Sequence, residues 1–288
     1  MRLTVNKLLF AFGVCLLLLL SWVKLEEEGG LRGLLLDGQE EVSVYQEEIG
    51  GRIRLIVRLR HCSDVTMSVS LQPENMRAST PLEFTADVRG KAAVLTTLKT
   101  NDESLPTSFS YHYNWLIGGR SNREPVAWVY ALPFDAKGAY KLMQGAGGEF
   151  SHGLGSNSAQ ALDWAMPEGS VVRAARSGVV VAAVAYYSQG GTDTAYKIRG
   201  NHVMIRHDDG TYAEYYHLRE GGVAVSLGDE VKVGQLIGYS GNTGYSTGPH
   251  LHFAVFRNLD GLVRETLPLR FRMPDGRIMD QLKKGDLF

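Results

Sequence analysis

Cysteine is nearly absent from this chain. Of its 288 residues only Cys15 and Cys62 are cysteines, so no disulfide framework can hold the protein together and its stability has to come from packed cores. Cys62 reads as a small buried residue rather than a reactive thiol. An excess of charge of either sign is missing too. Lys plus Arg total 30 against 31 Asp plus Glu, a formal charge of −1, which supplies no broad field for a nucleic-acid partner. Heptads, internal repeats and low-complexity tracts do not occur, and helix signals are scarce.

One long hydrophobic run is present, Leu8 to Val23, preceded by Arg2 and Lys7 and closed by Lys24 and by Glu26 to Glu28. Such flanks mark residues 1–25 as an export signal or a membrane anchor. As a helix the run would measure roughly 24 Å, short of the ~30 Å hydrocarbon core, so spanning would need thinning or snorkelling. No small-x-small cleavage site stands out around Ser21, Trp22 and Val23, which favours an anchor, and Cys15 lies too deep in the run for lipidation. Either way the expected location is outside the cytoplasm, in the cell envelope.

From about Glu40 to Phe134 short alternating runs such as Ile53, Leu55, Val57, Leu59 and Val65, Met67, Val69, Leu71 read as strands with one buried face. Turn residues separate them at Gly50-Gly51, Pro73-Glu74-Asn75, Thr80-Pro81 and Gly118-Gly119. Residues 40–140 are therefore expected to form a β-sandwich-like accessory domain that spaces, docks or covers a second domain. His61 and His112 sit apart among its strand residues and read as structural. Between Lys141 and Ser158 the chain turns glycine-rich, which suggests a linker running into a site-forming loop. A second β domain follows over 145–262, with strands expected at Val179 to Val184, His202 to His207, Thr211 to His217 and His250 to Phe256, and a hairpin turn at Asp208-Asp209-Gly210. Residues 263–288 make a C-terminal extension. The fold class is thus mainly β.

Six of the eight histidines fall after Gly148: His152, His202, His207, His217, His250 and His252. Strand alternation sends His250 and His252 to one face while Leu251, Phe253 and Val255 anchor the other, so two imidazoles share a surface. Such a pair suits a metal ligand standing beside a catalytic group.

The run Gly238-Tyr239-Ser240-Gly241-Asn242-Thr243-Gly244, followed by Ser246-Thr247-Gly248-Pro249-His250-Leu251-His252-Phe253, resembles the signature of the M23 (lysostaphin and LytM-like) metallopeptidases. Ala161-Leu162-Asp163 with Met166-Pro167-Glu168-Gly169, Ala174-Ala175-Arg176-Ser177-Gly178-Val179 and Tyr215-Tyr216-His217-Leu218 agree in order and spacing, and the likeness runs roughly from Gly145 to Asn258. It implies a LytM-like antiparallel sheet and a metal held by a histidine, an aspartate and the second histidine of His-x-His, which map to His152, Asp163 and His252. Nitrogen and oxygen ligands with no thiolate suit one Zn2+ per chain, leaving a fourth position for water. His217 and His250 map to the catalytic pair, one taking a proton from water and the other stabilising the oxyanion or passing a proton to the leaving amine, in an order the sequence leaves open. The implied substrate is the peptide portion of peptidoglycan, approached through glycine-rich walls at Gly190-Gly191 and Gly241 to Gly248. Whether a D-alanyl link or an oligoglycine bridge is cut stays open.

One departure stands out. Many members place the first histidine four residues before the aspartate, where this chain has Ala159. His152, in Phe150-Ser151-His152-Gly153, resembles the start of a subset of the family, and His202 and His207 are fallbacks. A chain with no histidine completing the set would instead be an inactive LytM-like module that binds the wall or activates other hydrolases. The turn Gly228-Asp229-Glu230-Val231-Lys232-Val233-Gly234-Gln235 also resembles that of lipoyl and biotinyl carriers, but Lys232 lies within the turn motif and not at an exposed hairpin tip.

Overall fold

The computed structural model describes residues 41–121, 123–135, 140–148 and 151–288. The expected signal or anchor lies outside them. Among the described residues no helix is long and apolar enough to cross a membrane.

The architecture is almost entirely strand, and a short 3-10 turn at Thr194–Ile198 is the helical element among the described residues. Two sheets form the N-terminal part. Val42–Ile49, Arg52–Leu59, Ala92–Thr100 and Met76–Ala78 make a four-stranded sheet, and Asp64–Glu74 is flanked by Glu83–Arg89 and Ser108–Ile117 in a three-stranded one. Alternation works as read in Asp64–Glu74, where Val65, Met67, Val69 and Leu71 all enter the core. In Arg52–Leu59 Leu55, Val57 and Leu59 keep the period of two and Ile56 is buried as well; the bulge at this point lies in the partner strand Ala92–Thr100, where Leu95 is the extra residue.

The C-terminal part is built on a ten-stranded sheet in which Gly178–Val184, Asn201–Arg206, Tyr212–Val223, His250–Asn258, Leu162–Ala165 and Lys141–Gln144 lie side by side in that order. Asp208-Asp209-Gly210 forms the turn between two of these strands, closed by His207 N donating to Thr211 O at 2.8 Å. Lys141–Gln144 lies where a linker is expected, yet it is an edge strand. Its Leu142 is completely buried against Leu162, Trp164 and Phe271, and that burial outweighs the glycines that follow. Strand Arg270–Arg272 of the C-terminal extension pairs with Val129–Ala131, so the chain closes back on its own earlier part.

One face of this sheet carries Trp164, Tyr215 and Phe253 into a large core, which Phe271 of Arg270–Arg272 joins from outside the sheet. The other face is shared. Toward one end Met204, Tyr212 and Phe256 join the N-terminal core, while His252 and Tyr216 occupy the same face nearer the opposite end. Buried polar contacts tie the two parts together: Asn258 Nδ2 donates to Ile117 O at 3.0 Å and Gly118 O at 2.7 Å, and Arg206 meets Asp64 at 2.6 Å. Ser63 N also donates to Val181 O at 2.8 Å, so the N-terminal chain hydrogen-bonds along the edge of the larger sheet.

Candidate metal centre and active site

Strand pairing brings the first two site residues together. Asp163 lies directly opposite His252 in the antiparallel pair Leu162–Ala165 with His250–Asn258, and their side chains meet at 2.8 Å, Oδ1 to Nδ1. His152 arrives from a loop. Successive turns, with Ser156 N bonded to Gly153 O, Ala159 N to Ser156 O and Ala161 N to Ser158 O, wind the segment between His152 and Asp163 compactly. The wound loop lets a histidine eleven residues upstream of the aspartate reach it, with His152 Nε2 3.4 Å from Asp163 Oδ2.

His152 is completely buried, and its Nδ1 lies 3.2 Å from Gly145 O, to which it donates. Its Nε2 is also buried and has no hydrogen-bond partner, an arrangement that costs free energy unless something accepts the lone pair. Among the described residues, one group of His, Cys, Asp and Glu converges in a metal-holding arrangement: His152, Asp163 and His252, with ligand atoms within 4.8 Å of one another. The donor set of two imidazoles and one carboxylate fits zinc.

His217 needs a local irregularity to reach the site. Regular alternation along Tyr212–Val223 would send it to the same side as Ala213 and Tyr215, into the core. The register against Asn201–Arg206 shifts at this point and His217 adopts φ 65°, a left-handed conformation rare for a residue with a side chain. The bulge turns the imidazole round to face His250, with ring centroids 4.4 Å apart, while Leu218 takes the core position. His250 lies opposite Ala165, and its Nε2 stands 4.0 Å from Asp163 Oδ1.

Burial and neighbouring groups set the electrostatics. Burial works against the Asp163 carboxylate, yet the imidazoles of His152 and His252 beside it carry its pKa well below the usual carboxylate range. Burial, with repulsion from His250 and His252, pushes His217 down to about 3 and also lowers His250. His252 is the exception: burial would depress it, but its bonds to Asp163 and Glu214 raise it to about 9.

Two residues around this centre were not picked out from the sequence. Glu214 is buried and bonds His252 Nε2 at 3.3 Å, while both its oxygens are gripped by Arg264, Oε2 at 2.8 Å from Nη1. The sequence signal was an acid placed among Tyr212, Ala213, Tyr215 and Tyr216, where burial demands a partner. Nothing in the sequence identified Arg264 as that partner.

The fallback histidines are elsewhere. His202 Nδ1 lies 2.9 Å from Gly200 O and its ring stacks on Tyr216, while His207 Nδ1 lies 2.9 Å from Ser177 O. His207 lines a cavity of about 1350 Å3 with Trp128 and Arg176, at the end of the sheet away from Asp163 and His252. None of the five candidate site residues lines that cavity. Some of the wall glycines are needed by the loops themselves. Gly190-Gly191 pairs in parallel with Gly244-Tyr245, and a Cβ on Gly190 would lie 1.8 Å from Asn242 O, so these glycines let the two loops approach each other.

Residues 157–262 match the profile of peptidase family M23. This stretch is a peptidase family M23 domain. The M23 domain contains Asp163, His217, His250 and His252, with His152 just before the matched segment and Arg264 just after it. The glycyl-glycine endopeptidase ALE-1 of Staphylococcus capitis is 38% identical over 112 residues, covering 38% of this chain and 28% of its own. The peptidoglycan DD-endopeptidase ShyA of Vibrio cholerae serotype O1 is 40% identical over 91 residues, covering 32% of this chain and 18% of its own. A solved catalytic domain of lysostaphin from Staphylococcus simulans aligns at 30% identity with a TM-score of 0.29, covering 44% of this chain and 85% of that one. The chain thus spans less than a third of the length of these two curated relatives.

Proposed function

We propose that this protein is an exported zinc metalloendopeptidase that hydrolyses peptide cross-links of peptidoglycan. The observation carrying this reading is the convergence of His152, Asp163 and His252, with the buried His152 Nε2 unpartnered and the His217 and His250 pair alongside. Zinc held there would supply Lewis acidity toward the scissile carbonyl and lower the pKa of water.

The chain's own residues do the rest. His217 donates from Nδ1 to Thr243 O at 2.7 Å and His250 from Nδ1 to Gly248 O at 2.8 Å, so each presents Nε2 without a proton. One Nε2 takes a proton from the attacking water, and the imidazolium so formed gives that proton to the leaving amine as the peptide C–N bond breaks. No side-chain nucleophile is required.

Substrate class follows from the relatives, which are endopeptidases of glycyl-glycine bonds and of peptidoglycan. The test is digestion of purified peptidoglycan by the full chain, with released fragments identified by mass. New amine and carboxyl ends at peptide cross-links, abolished by chelation and restored by zinc, are expected. Peptidoglycan that is bound but never cut, with or without zinc, would point to the inactive wall-binding module instead.

A further inference from the structure

A metal-binding histidine has two ring nitrogens, and the one facing away from the metal sets the tautomer and orientation of the other. For His252 that second nitrogen is Nε2. Its partner is Glu214, whose Oε1 lies 3.3 Å away, while Nδ1 points at Asp163 Oδ1, 2.8 Å distant. A carboxylate buried to this extent persists only if its other lone pairs are satisfied, and Arg264 does this with a two-pronged grip.

Arg264 is itself fixed from three sides. Its Nε donates to Asn157 O at 2.7 Å, its backbone N to Asn157 Oδ1 at 3.1 Å, and its guanidinium lies over the Phe256 ring at 4.3 Å. Asn157 belongs to the loop that carries His152, and its Nδ2 bonds Leu262 O at 2.9 Å. One guanidinium therefore braces both the strand bearing His252 and the loop bearing His152, and it comes from a segment with no role assigned by the M23 match, which ends at residue 262.

We propose that Glu214, held by Arg264, is a positioning residue that keeps the His252 Nδ1 lone pair aimed at the metal position, and that the C-terminal extension is in this way part of the metal centre. The proposal rests on the metallopeptidase reading above. Removing the device should weaken zinc binding without unfolding the protein.

The experiment measures zinc affinity of the full chain by competition with a chromophoric chelator, alongside the thermal midpoint of the metal-free protein. Glu214→Leu alone strands the Arg264 charge and can fail to fold, so the informative variant is Glu214→Leu combined with Arg264→Met, which replaces the ion pair by apolar groups of similar bulk. Zinc affinity is expected to fall roughly 10–100-fold in the double variant with an unchanged metal-free midpoint. Glu214→Gln, which keeps an acceptor for Nε2–H, is expected to fall between the double variant and the parent. Double-variant affinity equal to that of the parent would overturn this proposal alone. A parent chain that binds no zinc would overturn both it and the metallopeptidase reading.

Discussion

The imidazoles of His217 and His250 face each other at 4.4 Å between ring centroids, and each is tethered through Nδ1 to a carbonyl of the glycine-rich loop, at Thr243 or Gly248. This leaves both Nε2 atoms free for proton transfer, whereas His152 and His252 converge on Asp163. The account therefore predicts two classes of variant. His217→Ala and His250→Ala should each keep bound zinc while kcat falls about 10²- to 10⁴-fold. His152→Ala should lose zinc and activity together. Metal analysis beside a cross-link cleavage assay separates the classes.

The bulge that turns His217 into the site carries a backbone cost. At φ 65° a β-branched side chain is strained by about 1–3 kcal/mol, while Asn tolerates the left-handed region. His217→Asn should thus melt close to the parent, and His217→Val clearly below it. Equal melting of the two variants would mean that the left-handed conformation is absent in solution.

Asn258 links the two halves of the molecule. Replacing it by Leu takes its donor from the buried carbonyls of Ile117 and Gly118; Gly118 O keeps the Thr66 hydroxyl at 2.8 Å, so the expected loss is about 1–3 kcal/mol, for Ile117 O. Because residues from both halves share one core, calorimetry should show a single transition that moves down as a whole. Two separate transitions would contradict the shared core.

Sequence alone made the strands and the histidine face legible because both rest on short-range regularity. Val65 to Leu71 and His250 to His252 follow the period of two, and the structure keeps it. What escaped depends on partners distant in the chain or on broken periods. Glu214 and Arg264 are 50 residues apart, and neither looks unusual until the other is beside it. The turn of His217 toward the site comes from a bulge, which no hydrophobic pattern announces. Gly190 reads as room for a ligand until Asn242 is found against it.

Acid sensitivity should have one identifiable contributor outside the site. His207 is 3% exposed, and burial lowers its pKa from an ordinary 6.5 to about 4. Between those values the unfolded chain holds a proton that the folded chain does not, so stability falls as pH drops through this window, by on the order of 1 kcal/mol per pH unit. Above pH 6.5 the contribution is fully present. His207→Asn should flatten this part of the stability profile, read from urea unfolding at a series of pH values. A profile parallel to that of the parent would remove His207 from the account.

The central claim is that His152, Asp163 and His252 grip one ion. A crystal structure of the zinc-loaded full chain, with anomalous scattering collected at the zinc edge, tests it most directly. The account predicts one strong peak about 2.0–2.2 Å from His152 Nε2, an Asp163 carboxylate oxygen and His252 Nδ1 together. A peak seated instead between His217 and His250, or zinc bound only at surface residues, would contradict it.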